Sequence, residues 1–156
     1  MVRAITLICV AALCACASDP APSADGRGTV VRVIDGDTIV VRIDGRSERV
    51  RYIGVDTPES VKPGVRVQCF AKSAAQENAK LVLGRDVRLE YDAEARDRYG
   101  RLLAYVWRGE LLVNAELVRL GYGKPLEIAP NLAHAPQLRE LAAAARRGRR
   151  GLWSRC

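Results

Sequence analysis

Alternating apolar and polar residues mark three short segments in the first third of this chain. Residues 29–34 and 38–43 are rich in valine and isoleucine, which favours β-strands. Asp-Gly pairs at 35–36 and 44–45 follow these segments and are typical of tight turns. Residues 46–55 supply a third strand with a similar pattern. The first part of the fold is therefore predicted to be an antiparallel meander.

The apolar spacing lengthens to that of a helix between residues 70 and 83, and Gly84 can end this helix. Residues 86–91 and 102–107 return to the alternation of strands. The predicted helical face consists of Ala71, Ala75, Ala79 and Val82.

Two further helices are predicted in the last third of the chain. Asn114 can cap one that ends at Gly121, and Pro136 suits the start of the other. The buried stripe of the last helix is predicted to contain Leu138, Leu141, Ala142 and Ala145. Five strands with a helix inserted after the third indicate an α+β fold, a five-stranded Greek-key barrel of the OB type with three helices.

The first residues have the composition of a secretory leader. Arg3 precedes a short apolar run over residues 4–15, which is shorter than the roughly 20 residues that span a bilayer. We assign residues 1–17 to a signal peptide, 18–27 to a flexible linker rich in Pro, Ala and Ser, and 28–156 to the folded domain. The protein is therefore expected to be exported.

Two processing outcomes fit this leader. Leu13-Cys14-Ala15-Cys16 is similar to the bacterial lipobox, which would make a lipidated Cys16 the mature N-terminus and anchor the chain to a membrane as a periplasmic or outer-membrane lipoprotein. Cys14 is unusual in such a box, and ordinary cleavage after Ala17 would instead release a secreted protein. Both outcomes stay open from the sequence.

Cys69 and Cys156 are the two cysteines left in the folded domain. In an oxidising compartment they can form one disulfide that ties the last residue to the start of the first helix. The alternative is two unpaired thiols, because the sequence does not set the geometry that a disulfide needs.

Composition narrows the chemistry to oxygen ligands and arginines. The chain has a formal net charge of +7, which suits a polyanionic partner or simply a basic surface. His134 is its only histidine, so a zinc site would lack ligands, and a catalytic triad would have to use His134, which lies in no recognisable nucleophile motif. His134 is therefore expected to be a surface or capping residue.

Three short motifs carry the remaining candidate chemistry, and each has an ordinary structural explanation as well. Ile34-Asp35-Gly36-Asp37-Thr38 can be a hairpin turn, and Asp56-Thr57-Pro58-Glu59 can be a helix cap. Asp97-Arg98-Tyr99-Gly100-Arg101 can be a solvated turn. Arg51, inside a strand with aliphatic neighbours, needs a partner because an unpaired buried charge is costly. The three motifs and Arg51 indicate a function because they occur together and in this order in one chain.

The chain resembles the staphylococcal nuclease, or thermonuclease, family over residues 28–154. The family fold is an OB barrel with three helices, in agreement with the pattern above. The stretches that carry the resemblance are Val33–Thr38, Arg51, Val55–Glu59, Tyr99–Arg101, Leu103–Tyr105, Val113–Asn114, Leu117–Val118 and Leu152–Ser154.

The resemblance implies a role for each motif residue. Asp37, Asp56 and the carbonyl of Thr57 would bind one Ca²⁺, with Asp35 as a supporting acid. Glu59 would be the general base, while Arg51 and Arg101 would bind the scissile phosphate. Arg98 and Tyr99 match positions that contact a neighbouring phosphate. The implied activity is hydrolysis of DNA and RNA with little sequence specificity and 3′-phosphate products, by a monomer.

The chain departs from the family before Pro130-Asn131, where aromatic residues thought to stack on a base are replaced by Leu126-Glu127-Ile128-Ala129. Base preference is therefore expected to differ. Two other functions are alternatives: an OB module that binds nucleic acid without cutting it, and an envelope lipoprotein with a structural role. The basic residues Arg146, Arg147, Arg149 and Arg150 are interpreted as a solvated helix end, with phosphate binding as the alternative.

Overall fold

The computed structural model describes residues 25–59, 64 and 67–156. The predicted signal peptide, the lipobox with Cys16 and most of the predicted linker lie outside these residues. The elements in chain order are β1 Asp25–Val33, β2 Thr38–Ile43, β3 Arg46–Tyr52, β4 Val55–Asp56, α1 Ala71–Val82, β5 Asp86–Glu90, β6 Leu102–Arg108, β7 Leu111–Leu112, α2 Val113–Leu120, β8 Lys124–Pro125, α3 Ala135–Arg147 and α4 Leu152–Arg155.

Five strands close into a barrel, as the sequence predicted. β2 pairs with β3 and β1, β1 pairs with β5, and β5 pairs with β6, all antiparallel. A parallel pairing of β3 with β6 closes the sheet and sets Arg51 opposite Leu103. This closure matters for the site, because it brings the end of β3 beside the loop that leads into β6.

The core fills this barrel and continues under α2 and α3. Alternate residues of the strands point inward, which buries branched and aromatic side chains that favour strands. The largest of the fully buried side chains are Tyr52, Tyr105, Ile39, Leu89, Leu117 and Leu138.

Strand β1 begins earlier than predicted. Asp25, Gly26 and Arg27 pair with the far end of β5, so these residues belong to the barrel and not to the linker predicted over 18–27. The sequence obscured this because glycine and charged residues are weak strand formers, and pairing with β5 overrides that preference.

The third predicted strand is interrupted. A turn at Ile53 and Gly54 divides it into β3 and β4, and Gly54 has a φ of 77°, which favours glycine. β4 then pairs with β8 in a separate two-stranded sheet. The turn redirects residues 55–59 out of the barrel wall, which places Asp56 and Glu59 beside Asp37 and not along β3.

Asn114 does not cap α2, contrary to the prediction. It lies in the first turn, fully buried, where its amide donates to the carbonyls of Ile53 and Ala104 and accepts from the N–H of Val106. Buried polar groups must find such partners. Asn114 therefore joins α2 to β6 and to the turn before β4.

His134 occupies the position before α3, but its side chain does not cap the helix. Its ring nitrogen Nε2 lies 2.8 Å from Glu90, and the ring packs edge-on against Tyr105. It is a partly buried residue on the side of β5 and β6.

The last residue is fixed covalently to the segment before α1. Cys69 and Cys156 form a disulfide across 87 residues of sequence, with 5.9 Å between their Cα atoms. The N–H of Leu152 also donates to the carbonyl of Gly121 at the end of α2.

Among the described residues, no helix has both the length and the apolar composition to cross a membrane.

Candidate active site

A small acidic cavity of about 80 Å³ lies where four segments of the chain meet. The β1–β2 turn, the end of β3, the segment after β4 and the residue before β6 all contribute to it. Seven residues singled out in the sequence line this cavity: Asp35, Asp37, Arg51, Asp56, Thr57, Glu59 and Arg101. The structure thus gathers the three motifs at one place.

The β1–β2 turn is shaped to present Asp37. The N–H of Asp37 donates to the carboxylate of Asp35, and the N–H groups of Ile34 and Asp35 both donate to the carbonyl of Thr38. Gly36 packs against Thr57, since a Cβ atom at Gly36 would lie 2.6 Å from the Thr57 hydroxyl oxygen. Glycine is required here for close approach, which explains the Asp-Gly-Asp sequence better than a hairpin turn alone does.

Asp37 is buried and surrounded by donors. One carboxylate oxygen accepts from the N–H of Thr57 at 2.7 Å and from its hydroxyl at 2.9 Å. The other oxygen lies 2.8 Å from the guanidinium of Arg51 and 3.2 Å from the hydroxyl of Thr38. These bonds lock the segment after β4 onto the β1–β2 turn.

Arg51 bridges the two acidic segments. Besides its ion pair with Asp37, it donates to the carbonyl of Val55 at 2.9 Å and to the carboxylate of Asp56 at 3.1 Å. Its side chain is only 14% exposed. The buried charge that the sequence flagged therefore has carboxylate partners on both sides, and its side chain faces the cavity and not the core.

Negative charge is in excess in this cavity. Burial, followed by the charge of Asp37, raises the pKa of Asp35 to about 6. Burial also raises the pKa of Asp56, and the charges of Asp37 and Glu59 add to that effect while Arg51 opposes it. Carboxylates whose ionisation is disfavoured by burial and by neighbouring negative charge are stabilised in the ionised form by a bound cation.

The donor set fits a hard divalent ion. Within the part of the chain that the structure describes, no group of three or more His, Cys, Asp or Glu side chains is placed to hold a metal by itself. The carboxylates of Asp37 and Asp56 and the carbonyl of Thr57 nevertheless provide oxygen donors of the kind that Ca²⁺ prefers, and water or phosphate oxygens commonly complete such a shell.

Arg101 reaches the cavity from a separate turn. Its Nε and a terminal nitrogen each lie 2.7 Å from the carboxylate of Asp97, whose other oxygen accepts from the N–H groups of Tyr99 and Arg101. Burial raises the pKa of Asp97, but these hydrogen bonds outweigh it and the net pKa is lowered. Asp97 is thus a carboxylate that orients Arg101.

A larger cavity of about 500 Å³ adjoins the acidic one and shares Arg51 and Arg101 with it. Arg98 and Tyr99 line this cavity and not the acidic one, and the guanidinium of Arg98 lies 4.9 Å from the ring of Tyr99. Leu126, Ile128 and Ala129 form another wall. Tyr99 is 69% exposed, so its ring is the aromatic surface that this cavity offers to a ligand.

Two supporting residues are not among those predicted from the sequence, Asn78 and Gln68. Buried Asn78 of α1 accepts from the hydroxyl of Tyr52 at 2.9 Å and donates to the carbonyl of Asp35 at 3.0 Å. Gln68 exchanges two hydrogen bonds with the backbone of Glu59. A polar Asn78 on the apolar face of α1 was the available signal, whereas nothing local pointed to Gln68.

Comparison with known proteins agrees with this geometry. The family model described as "Staphylococcal nuclease homologue" matches residues 49–155. A thermonuclease of Staphylococcus intermedius is 43% identical over 136 residues, which cover 85% of this chain and 81% of that protein. A thermonuclease of Staphylococcus hyicus is 42% identical over 80% of this chain and 74% of its own length. The endonuclease YncB of Bacillus subtilis is 38% identical over 81% of this chain and 61% of its own length.

Proposed function

The chain belongs to the staphylococcal nuclease family and is a hydrolase of the nuclease class, and we propose that it is an exported, Ca²⁺-dependent enzyme that cleaves DNA and RNA with little sequence specificity. The observation that carries this proposal is the acidic cavity, in which two arginines lie with four carboxylates. That combination suits a phosphodiester, because the acids can hold a cation and the arginines can hold phosphate oxygens.

Arg51 and Arg101 hold the scissile phosphate in this proposal. Both line the acidic cavity and the larger one beside it, so a phosphate between them is reached from both sides. Planar guanidinium groups can each contact two phosphate oxygens and stabilise the charge that develops in the transition state. Arg98 and Tyr99 then contact a neighbouring nucleotide in the larger cavity.

The carboxylates divide between cation binding and proton transfer. Asp37, Asp56 and the carbonyl of Thr57 hold the ion, while Asp35 supports Asp37 through the hydrogen bond within the β1–β2 turn. A bound Ca²⁺ supplies positive charge that offsets the phosphate and favours ionisation of water. Glu59, at the wall of the same cavity, accepts a proton from the attacking water as general base.

The products follow from the bond that breaks. The water oxygen attacks phosphorus in line with the 5′ oxygen. That oxygen leaves and takes a proton from solvent, so one fragment ends in a 3′-phosphate and the other in a 5′-hydroxyl. We propose that the enzyme acts as a monomer outside the cytoplasm, with Cys16 lipidated or the leader removed by ordinary cleavage.

The purified protein and plasmid DNA test the activity directly. Degradation is expected with Ca²⁺ and not with a chelator, and the fragments should resist extension by a polymerase until their 3′ ends are dephosphorylated. Equal degradation in chelator, or none with any divalent ion, would refute a metal-dependent nuclease. A protein that shifts DNA on a gel without cutting it would instead support the binding module.

A second readout does not depend on activity. Ca²⁺ should raise the melting temperature of the protein, and Asp37→Asn should remove most of this effect, since a ligand that binds only the folded state stabilises it. Mass spectrometry of the N-terminus of the exported protein distinguishes a lipidated Cys16 from ordinary cleavage.

A further inference from the structure

A third cavity leads from the active site towards the C-terminus. It has a volume of about 70 Å³ and shares Asp56, Thr57 and Pro58 with the acidic cavity. Lys124 of β8 and Leu152 of α4 line its other side. The large cavity, the acidic cavity and this one therefore form a continuous row, with the two phosphate-binding arginines between the first two.

The indole ring of Trp153 lies just beyond this cavity. It is partly exposed, and the ammonium of Lys124 and the guanidinium of Arg146 lie 5.7 Å and 5.6 Å from its centroid. Its Nε1 edge is buried and has no hydrogen-bond partner among the described residues, so packing and the two cations hold the ring, and only its remaining partly exposed surface can meet a ligand. An aromatic ring interleaved with cations is typical of surfaces that bind single-stranded nucleic acid.

Exposed arginines continue this surface beyond the end of α3. Arg146, Arg147, Arg149 and Arg150 are exposed, and within the described residues none of them forms an ion pair with a carboxylate. Arg139, earlier in the same helix, is by contrast paired with Glu127. The helix dipole accounts for the two arginines in the last turn of α3, and Arg150 donates to the carbonyl of Arg119 at the end of α2. Arg149, which follows the helix, has no such structural role among the described contacts.

The surface is held in place relative to the active site. The disulfide joins Cys156, three residues after Trp153, to Cys69. The neighbour of Cys69 is Gln68, whose two hydrogen bonds hold the backbone of Glu59. The proposed base and the basic surface are therefore linked through one short path of bonds, which favours a single extended binding site.

We propose that the substrate strand leaves the active site past Lys124, stacks a base on Trp153 and lays its phosphates against the arginines at the end of α3. The inference rests on the proposed nuclease function and adds to it a binding surface outside the site of cleavage. We call Lys124, Trp153, Arg146 and Arg149 the basic strip. Long single strands should use this strip, whereas a dinucleotide cannot reach it.

The dependence of cleavage on substrate length tests the proposed strip, because only a long strand covers both the active site and the basic strip. The variant Arg146→Gln/Arg149→Gln is compared with Arg42→Gln/Arg46→Gln, which removes the same charge from the exposed β2–β3 hairpin, far along the strands from Arg51. The quantity measured is kcat/KM for a strand of about 12 nucleotides divided by kcat/KM for a dinucleotide.

In the strip variant this ratio should fall about tenfold at about 50 mM salt, and in the hairpin variant it should not change. The slope of log affinity against log salt should also become shallower by about 1.4, since each phosphate contact on a single strand contributes about 0.7. If the ratio falls equally in both variants, or falls in neither, the proposal that the basic strip binds substrate is wrong. If the wild-type protein cleaves neither the long strand nor the dinucleotide, the proposed function itself is refuted.

Fluorescence gives a readout without cleavage. In a Trp107→Phe background Trp153 is the single tryptophan, and oligonucleotide added in chelator should quench it and protect it from acrylamide. Absence of both effects contradicts stacking. Anionic phospholipid vesicles are the parallel probe: binding to vesicles that the strip variant loses, together with an unchanged length ratio, would reassign this surface to a membrane.

Discussion

The two arginines of the active site are held in opposite ways. Arg51 belongs to the barrel wall and is bonded to Asp37, Asp56 and the carbonyl of Val55, which are themselves parts of the site. Arg101 belongs to a turn and is bonded to Asp97 of the same turn. The first arginine therefore assembles the acidic cavity, while the second is positioned independently of it. Their removal should have different consequences for stability and for catalysis.

Replacing Arg51 should have the largest effect, because this arginine both binds the scissile phosphate in the proposed mechanism and holds the acidic segments together. Arg51→Ala removes a phosphate ligand and leaves buried Asp37 without its counter-charge. We expect turnover to fall by about 10²–10³ and the free energy of unfolding to fall by about 2–3 kcal/mol when Ca²⁺ is absent. Urea denaturation with and without Ca²⁺ measures the second effect, and Ca²⁺ should recover part of it. Unchanged stability in chelator would mean that Arg51 does not hold the acidic segments together.

Replacing Arg101 should separate catalysis from folding. Arg101→Ala is expected to lower turnover by about 10²–10³ while it changes the unfolding free energy by less than about 1 kcal/mol, since its partner Asp97 can be solvated. Circular dichroism and a denaturation curve serve as controls beside the rate measurement. Near-normal turnover would show that the arginine is wrongly assigned, and a stability loss as large as that of Arg51→Ala would erase the contrast between them.

Asn78 of α1 supports the acidic cavity without contacting the phosphate, so its replacement should affect stability more than catalysis. Asn78→Ala leaves the Tyr52 hydroxyl and the Asp35 carbonyl without a partner, which should cost about 2–3 kcal/mol of stability. The β1–β2 turn loosens, so the affinity for Ca²⁺ measured by calorimetry should drop, and turnover at saturating Ca²⁺ should change by about tenfold or less.

Tyr52→Phe is the matched control for that variant. It removes the hydroxyl but keeps the bond from Asn78 to Asp35, so its affinity for Ca²⁺ should stay near that of the wild-type protein. If Tyr52→Phe weakens Ca²⁺ binding as much as Asn78→Ala does, the bond to Asp35 is not what positions the turn.

Several features of the fold were predictable because they depend on near neighbours in the sequence. Valine-rich alternation, the Asp-Gly turns and the helical period beyond residue 70 gave the barrel strands and the three main helices. The errors fall where distant contacts decide. Asp25 to Arg27 form a strand only because β5 offers a partner, and Asn114 is buried because α2 packs onto β6.

The sequence by itself determined which chemical groups are available: carboxylates, two key arginines and a single histidine, on a basic chain. It also placed Asp35 and Asp37 in one turn, because residues separated by two positions are held together by local backbone structure. Only the tertiary structure decided that Arg51 and Arg101 face one cavity, since the parallel closure of β3 on β6 joins segments 50 residues apart in the numbering. The meeting of Lys124, Arg146 and Trp153 beside that cavity likewise depends on packing, which no periodic pattern encodes.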